Sequence, residues 1–306
     1  MTNLRRALDA DASRFLVAAI LVAAMFAGGA ALIHAGNYGL TLFVAVPVLL
    51  GGLVSWVFRP TSGRQAVSLG LWSALAGSSL LLTLGLEGLL CIVMALPLAM
   101  PLAALGSWTV YKAGHALRTA PMLLLLPSGL LFDATAIPPV YAVHTAIEIA
   151  APPEQVWKHV VTFSELPEPH EWYFRVGLAY PQRASILGSG PGAVRRCEFS
   201  TGPFVEPIDV WDQPRLLRFR VTENPAPLHE WSPYAHVLPK HLHGYLVSER
   251  GQFRLTPLPG NRTMLEGTTW YRHGLWPAAY WRLWSDAIIH RIHLRVLNHI
   301  RTLAEN

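Results

Sequence analysis

The chain has 306 residues, of which 52% are hydrophobic and 14% are charged, and its formal net charge is +5. This length is enough for two domains of ordinary size. The Lys and Arg residues are scattered and form no dense run, which argues against a nucleic-acid-binding protein. The two cysteines, Cys91 and Cys197, lie in segments of different polarity. Their positions indicate neither a disulfide nor a cysteine-based metal site.

The distribution of charge divides the chain into two parts. Between positions 15 and 111 the charged residues are Arg59, Arg64 and Glu87, whereas charges recur every few residues from Val140 onward. A charge at the centre of a bilayer costs on the order of 2.5–3.5 kcal/mol, so a long stretch with few charges is typical of membrane helices. The boundary between the two parts is expected near residues 112–140.

Four segments approach the roughly 20 apolar residues needed to cross a hydrocarbon core about 30 Å thick. They are expected at about residues 15–33, 40–58, 66–86 and 89–111. A signal peptide is the competing interpretation of the first segment, but three further apolar segments follow it at once, which favours an uncleaved helix. We therefore predict a transmembrane bundle of four helices within residues 1–118. Its interior has few ionisable residues, which favours anchoring over transport.

Basic residues occur in alternate loops of this bundle: Arg5, Arg6 and Arg14, then Arg59 and Arg64, then Lys112 and Arg118. The intervening loops, at residues 34–38 and at Glu87, contain neither Lys nor Arg. The positive-inside rule therefore predicts a cytoplasmic N-terminus. The chain is expected to be a multi-pass protein located in a bacterial inner membrane.

Residues 119–139 form an apolar connector or a fifth span. The segment 121–132 (PMLLLLPSGLLF) is strongly apolar but short, and a longer span would have to include Asp133. Short apolar segments of this kind are often re-entrant or buried connectors. A crossing would place the C-terminal domain outside the cytoplasm. The hydrophobicity of the segment 121–132 favours a crossing.

Residues 140–306 are expected to form an α+β domain. Alternating apolar residues and Gly or Pro turns predict strands at about 141–150, 175–180, 182–187, 193–200, 204–211, 216–222, 245–256 and 263–272. A short helix is predicted to begin at Pro152, and a long final helix is predicted at about 277–304.

Four segments of this half, taken in order, resemble one known superfamily: IEIAAPPEQVWKHVVTF, GPGAVRRCEFSTG, IDVWDQPRLLRFRVTE and GQFRLTPLPGNRTMLEGTTWY. They are similar to the polyketide cyclase/START-like lipid-binding (SRPBCC) superfamily over about residues 140–304. The resemblance implies a helix-grip fold, in which an antiparallel sheet surrounds the long C-terminal helix and encloses an apolar cavity. It does not select one function, since the superfamily includes lipid carriers, hormone receptors and cyclases.

The final helix has apolar residues on two sides, which predicts that both sides are buried. One side is expected to pack on the sheet and the other to face a cavity. Together with aromatic residues elsewhere, the predicted cavity residues are Trp172, Trp211, Trp231, Tyr234, Trp270, Trp281, Trp284, Ile288 and Ile292. For each aromatic residue alone, packing in the core is the favoured interpretation, and it is the aromatic residues taken together that suit an apolar pocket.

Three charged strand residues are candidate polar anchors for a ligand: Arg196, Glu206 and Glu266. Whether they point inward depends on the phase of each strand, because a shift of one residue moves a side chain to the other face. Asp286, His290 and His293 share one shoulder of the final helix and are weak catalytic candidates, with His as a general base. A structural role for the two histidines is the favoured interpretation.

The segment 223–244 is long for a loop and contains His229, Glu230, His236, His241 and His243. Imidazoles can bind zinc, but these histidines lack a known zinc-ligand spacing. A lid over the cavity mouth or on the bilayer surface is therefore preferred. No metal and no cofactor are expected.

These observations favour a membrane-anchored protein that binds or transfers a hydrophobic small molecule, with a lipid as the expected ligand. The alternative is a cyclase- or dehydrase-like enzyme acting on an apolar substrate, and a second alternative is a non-catalytic interaction module. The expected partners are a hydrophobic ligand and the lipid bilayer, without nucleic acid. Convergence of ionisable groups inside the cavity would favour the enzyme.

Overall fold

The computed structural model describes residues 2–114, 117–234 and 239–306. The chain divides into two compact units, each made of several segments. The helical unit comprises Met1–Ile137, Glu230–Lys240 and Leu275–Tyr280. The C-terminal domain comprises Pro138–His229, His241–Gly274 and Trp281–Asn306.

Within its described residues, the helical unit has five α-helices: α1 (Thr2–Ala35), α2 (Val46–Phe58), α3 (Gly63–Thr83), α4 (Leu89–Lys112) and α5 (Leu125–Thr135). A π-helical turn, Thr41–Ala45, leads into α2, and a 3-10 helix, Leu117–Leu124, leads into α5. Within the described residues, four segments are long and apolar enough to cross a membrane: Phe15–Ala35, Thr41–Phe58, Gly63–Thr83 and Leu89–Lys112. The prediction of an N-terminal region of apolar helices is confirmed.

Glycines allow α2 and α4 to approach each other backbone to backbone. A Cβ atom added at Gly51 would lie 1.9 Å from the carbonyl oxygen of Ala103, and one at Gly106 would lie 1.9 Å from that of Val48. Close approach through small residues is a common way for helices to pack in lipid, where no hydrophobic effect drives them together.

The segment 117–135 runs antiparallel to α2. Met122 lies beside Gly52, since a Cβ added there would be 3.2 Å from the Met122 Cε, and a Cβ added at Gly129 would be 2.7 Å from the Thr41 Oγ1. Further on, the Asp133 carboxylate accepts hydrogen bonds from the Leu40 N–H (2.6 Å) and the Thr41 N–H (3.0 Å). The segment therefore ends beside the N-terminus of the helix that leads into α2.

A second carboxylate holds the N-terminus of α4. Glu230 accepts from the N–H groups of Leu90 and Cys91, both at 3.0 Å. The carbonyl oxygen of Trp231 accepts from the N–H of Leu89 at 2.9 Å. Carboxylates suit this position because helix N-termini carry free N–H groups and a partial positive charge.

The C-terminal domain has seven strands: β1 (Val140–Ile149), β2 (Pro181–Leu187), β3 (Val194–Phe199), β4 (Gly202–Asp212), β5 (Leu216–Arg220), β6 (Leu246–Leu258) and β7 (Arg262–His273). They form one antiparallel sheet in the order β1-β7-β6-β5-β4-β3-β2. The helices are α6 (Pro153–Val161), α7 (Trp172–Arg175) and the long α8 (Ala278–Glu305).

One side of α8 packs on the sheet. Leu297 and Ile300 are fully buried in the same apolar cluster as Leu217 of β5 and Leu265 of β7. Burying such side chains contributes roughly 1.5–3 kcal/mol each relative to leaving them in water. The predicted helix-grip fold, with the sheet packed on a long C-terminal helix, is confirmed.

The strand predicted at 175–180 is wrong. The aromatic residues before it form the helical turn α7, and Gly177 then adopts a φ of +126°, which interrupts an extended run. Two arginines of α8 hold this turn: Arg291 lies over the Tyr173 ring at 5.0 Å and Arg295 over the Phe174 ring at 5.8 Å. Packing against α8 therefore overrides the alternating pattern.

Candidate functional site

A cavity of about 130 Å³ lies inside the C-terminal domain, between the sheet and α8. Its walls come from strands β3 to β7, from α8 and from the loop segment Asn224–Pro227. Most of the wall is apolar. The phenyl rings and aliphatic side chains that contribute include Phe199, Phe204, Phe219, Phe253, Ile288, Ile289, Ile292 and Val296.

Strand register and helical spacing together produce this wall. Phe204 and Phe219 point to the same face of the sheet from neighbouring strands, while Ile288 and Ile292 are one helical turn apart on α8. The Phe199 and Phe204 rings contact edge to face with centroids 4.8 Å apart. The cavity is therefore shaped by the same residues that hold the sheet against the helix.

An ion pair is built into the wall of the cavity. Arg195 on β3 and Glu206 on β4 are directly opposite in the strand register, and their side chains are hydrogen-bonded. The Arg195 side chain is 2% exposed and that of Glu206 is 8% exposed. The Arg195 Nε also donates to the carbonyl oxygen of Val161 at 3.2 Å.

Aromatic rings surround the Arg195 guanidinium, with centroids of Phe163, Phe219 and Phe253 at 5.5–5.7 Å. Such cation–π contacts are stronger where water is excluded. Burial raises the pKa of Glu206, and the neighbouring guanidinium opposes that rise. A charged pair here is tolerated because each member supplies the charge that the other needs.

Cys197 follows on the same face of β3 and also lines the cavity. Burial raises the pKa of its thiol to about 12, with Arg195 acting in the opposite direction. The thiol is therefore protonated near neutral pH and is a weak nucleophile.

A chain of hydroxyl and imidazole groups reaches the cavity from the other side. The Oγ1 of Thr269 on β7 lies 2.8 Å from the Nε2 of His293. The His293 Nδ1 lies 3.1 Å from the Oγ1 of Thr145 on β1, which in turn lies 2.8 Å from the Nδ1 of His290. Thr269 and His293 line the cavity. Burial, then His290 and His144, lowers the pKa of His293 to about 4, so its imidazole is neutral near pH 7.

Sequence comparison identifies the domain that contains this cavity. Residues 141–272 match the family model described as polyketide cyclase/dehydrase and lipid transport. These residues form a domain of that family. No curated protein matches the chain.

Several solved structures are similar to the chain. They include the Zhui aromatase/cyclase from a Streptomyces species, with 18% identity, 55% of this chain and 94% of that chain covered, and a TM-score of 0.36. Norcoclaurine synthase from Thalictrum flavum, in complex with dopamine and hydroxybenzaldehyde, has 13% identity, coverage of 54% and 87%, and a TM-score of 0.36. A protein from Nitrosospira multiformis has 16% identity, covers 53% of this chain and 94% of that chain, and has a TM-score of 0.33. At these scores and identities, the structures carry no argument about what this chain binds.

The cyclase/lipid-transport domain brings some of the predicted site residues to its cavity. Ile288 and Ile292 of α8 and Glu206 of β4 line it. Trp281, by contrast, is buried in the protein, and Trp211 packs edge to face on Trp157 with centroids 5.7 Å apart. Trp284 is half-buried and is not part of the cavity wall.

The remaining predicted cavity aromatics lie elsewhere. Trp172 is 72% exposed on α7, and Trp270 lies beneath the Arg250 guanidinium at 4.6 Å. Trp231 and Tyr234 belong to the helical unit, where Tyr234 donates a hydrogen bond to the carbonyl oxygen of Thr83. Aromatic residue type alone thus does not separate cavity, core and surface positions.

Two of the three predicted polar anchors do not face the cavity. Arg196 is exposed, and Glu266 is half-buried outside the cavity wall. Arg195, which the sequence reasoning missed, takes the inward position because the phase of β3 places odd-numbered residues on that face. The feature that identifies Arg195 as the inward residue is its position opposite Glu206 in the strand register, which the sequence did not reveal.

The weak catalytic candidates separate into two sets. His290 and His293 belong to the chain of hydroxyl and imidazole groups described above. Asp286 instead accepts from the Tyr271 hydroxyl at 2.6 Å and from the Arg282 Nε at 3.0 Å. The hydrogen bond that spacing permits between Asp286 and His290 is thus replaced by these partners.

The loop predicted as a lid at 223–244 belongs to both units. Asn224–Pro227 forms part of the cavity wall, and Asn224 exchanges two hydrogen bonds with the backbone of Ser248, at 3.2 and 2.8 Å. Glu230–Lys240 belongs to the helical unit. His229 lies 3.3 Å from the Ser200 carbonyl oxygen, His241 is buried and His243 is exposed. His236 lies outside the described residues.

Proposed function

We propose that this membrane-anchored protein binds a hydrophobic small molecule in the cavity of its C-terminal domain and exchanges it with the bilayer. The observation that carries the proposal is an apolar cavity with a few inward polar groups, inside a domain of the polyketide cyclase/dehydrase and lipid transport family. Ligand sites are commonly apolar clefts with a small number of placed polar groups. An anchored carrier also shortens the path of a molecule that dissolves poorly in water.

The test is the recovery of a bound molecule from the full-length protein. The chain is extracted with a membrane-solubilising polymer, because detergent would compete for an apolar cavity, and is analysed by native and denaturing mass spectrometry. Ile288→Trp should fill the cavity and abolish the co-purified molecule. Leu283→Trp is the matched control, since Leu283 lies on the same helix but is 70% exposed. Equal recovery from both variants would argue against the cavity as the binding site.

Acid–base chemistry on the bound molecule is the second candidate function. The observation in its favour is that the cavity brings together an ionisable pair, Arg195–Glu206, and a neutral imidazole, His293. Such groups can transfer protons when they lie within hydrogen-bond reach of a reacting atom. Incubating the protein with the recovered molecule should then give a product of altered mass or retention time. Glu206→Gln or His293→Asn should abolish its formation while the molecule still binds.

We further propose that the C-terminal domain lies outside the cytoplasm. Among the described basic residues, Arg59 precedes α3, Arg64 lies in the first turn of α3 and Lys112 ends α4, so they mark one end of the helical unit. Asp133 lies at the opposite end, beside the N-terminus that leads into α2. The chain therefore runs from the basic end to the other end before β1 begins, which supports a crossing by residues 117–135. The side chains of Arg5, Arg6, Arg14 and Arg118 lie outside the described residues.

Reporter fusions at Asn306 test this orientation. An alkaline phosphatase fusion should be active, because that enzyme folds only outside the cytoplasm, and a green fluorescent protein fusion should be dark. Fusions within the loop after Arg59 are the controls and should give the reverse pattern. A fluorescent fusion at Asn306 would place the domain in the cytoplasm and contradict the proposal.

A further inference from the structure

The size of the cavity limits the molecule that can reside in it. Its volume of about 130 Å³ is close to that of an engineered cavity of ~150 Å³ in another protein, which holds benzene. A resident molecule is therefore about the size of a small ring system. A bilayer lipid with two acyl chains is several times larger than this volume.

The charges of the cavity limit the charge of that molecule. The buried charges, Arg195 and Glu206, already neutralise each other. A charged ligand beside them would need one member to leave its partner, and burying an unpaired charge is strongly unfavourable. Arg250 also lines the cavity but is exposed, and its guanidinium lies over the Trp270 ring. These surroundings favour an uncharged molecule.

The chain of hydroxyl and imidazole groups indicates which polar group the molecule carries. A neutral imidazole has one N–H, so the hydrogen bonds along Thr269, His293 and Thr145 all point in one direction or all point in the other. In one direction the Thr269 hydroxyl donates to His293 and can only accept from a ligand. In the other it accepts from His293 and can donate to a ligand. A ligand hydroxyl satisfies both cases because it donates and accepts.

We infer that the cavity takes a compact, uncharged, ring-sized alcohol or phenol, with its hydroxyl group at Thr269. This inference rests on the proposed function and names the class of its ligand. The four phenyl rings of the wall suit the ring of such a molecule, since aromatic pairs gain from edge-to-face and offset contacts. The hydroxyl group accounts for the polar end of a cavity whose other walls are apolar.

The test compares three probes that share the same two-ring framework: 2-naphthol, naphthalene and 2-naphthoate. Each is titrated against the full-length protein in nanodiscs, with energy transfer from tryptophan as the signal and empty nanodiscs as the background. We expect 2-naphthol to bind more tightly than naphthalene by about threefold to tenfold, the typical effect of one hydrogen bond. It should also bind more tightly than 2-naphthoate by a factor of about ten or more, because the carboxylate would be buried without a partner.

Two pairs of variants assign the effect to the cavity. Thr269→Val should reduce the affinity for 2-naphthol to that for naphthalene, whereas Thr256→Val, at an exposed position of β6, should leave it unchanged. Ile288→Trp should abolish binding of both probes, and Leu283→Trp should not. These results together would support the inference.

Other outcomes overturn it in distinguishable ways. Equal binding of 2-naphthoate that is lost in Arg250→Gln would show an anion site and sink the inference, while the proposed function would stand. A two-chain lipid recovered at one per protein, and lost in Ile288→Trp, would do the same. No saturable binding of any probe, with no molecule recovered from the protein, would overturn both the inference and the proposed function.

Discussion

The two units of this protein stabilise carboxylates in different ways. In the helical unit, Asp133 and Glu230 accept hydrogen bonds from backbone N–H groups at the N-termini of helices. In the C-terminal domain, Glu206 is bonded to the guanidinium of Arg195. The first arrangement uses the partial charge of a helix end, and the second uses a full charge on a neighbouring strand.

The difference teaches which residues each carboxylate depends on. A helix end supplies its N–H groups whatever the side chains are, so a carboxylate far along the sequence can be its partner, as Glu230 is for Leu90. A guanidinium must be encoded at one position of one strand. Replacing the partner is therefore possible for Glu206, whereas the partner of Asp133 and Glu230 is the backbone.

The largest effect is expected from removing the guanidinium partner of Glu206. Arg195→Met leaves a carboxylate buried without a countercharge, and breaking buried pairs in this way costs about 3–5 kcal/mol of unfolding free energy. Thermal unfolding of the full-length protein, followed by near-UV circular dichroism, measures it. Arg196→Met is the matched control, because Arg196 is exposed and such substitutions change stability by less than about 0.5 kcal/mol.

The same variant has a pH dependence with a definite sign. Burial already raises the pKa of Glu206, and removing Arg195 removes the group that opposes this rise. The folded variant then binds a proton more tightly than the unfolded chain does, so its stability decreases as pH rises above the ordinary pKa of a glutamic acid. The deficit relative to wild type should be smaller at pH 5 than at pH 8. Equal deficits at both values would argue against an unpaired carboxylate as the cause.

The position of Arg195 also illustrates what the sequence could and could not predict. Apolar length was enough to predict the helical region, and helical spacing was enough to place Ile288 and Ile292 in the cavity wall. The phase of β3 was not predictable, because adjacent arginines offer the same residue type to opposite faces of a strand. Only the register with Glu206 distinguishes Arg195 from Arg196.

Long-range partners explain the other differences. In the sequence, the charge of Asp133 argues against a fifth span. In the structure, its carboxylate accepts hydrogen bonds from the N–H groups of Leu40 and Thr41. Glu230 reads as a member of a histidine-rich loop, but it holds the N-terminus of α4. Trp172 reads as a cavity residue because it is large and aromatic, yet it is exposed on α7. In each case the deciding neighbour is remote in sequence and follows no local period.

Protonation of His293 should give the next largest effect. Burial lowers its pKa to about 4, below the value of about 6.5 for an unperturbed histidine. As pH falls, the unfolded chain therefore takes up a proton before the folded chain does, and the free energy of unfolding decreases between about pH 6.5 and about pH 4. The slope from one such group is at most about 1.4 kcal/mol per pH unit.

His293→Gln should flatten this slope in thermal unfolding measured from pH 4 to pH 7. A residual slope is expected, because burial also lowers the pKa of His241 to about 4 and, to a lesser extent, the pKa values of His159 and His299. His243→Gln is the control, since that residue is exposed and its replacement should leave the slope unchanged. A wild-type slope in His293→Gln would count against a buried neutral imidazole at this position.

The backbone-held carboxylates should give smaller and more local effects. Glu230→Ala removes the acceptor of two N–H groups, and losing a helix cap costs about 0.5–2 kcal/mol. Hydrogen exchange at Leu90 and Cys91 should accelerate, while exchange in the C-terminal domain should not. Asp133→Ala should do the same at Leu40 and Thr41. Unchanged exchange at these amides would show that the carboxylates do not stabilise the helix ends.

The smallest effect is expected at the third capped N-terminus of the helical unit, that of α3. There the cap is the neutral hydroxyl of Ser62, which accepts from the N–H of Gln65 at 3.2 Å at an exposed position. Water can replace a lost exposed cap more readily than a lost buried one, so Ser62→Ala should cost about 0.5–1 kcal/mol, the low end for caps. Its hydrogen exchange at Gln65 should accelerate less than exchange at Leu90 does in Glu230→Ala. An equal or larger acceleration would mean that carboxylate caps in this unit gain nothing from their charge or burial.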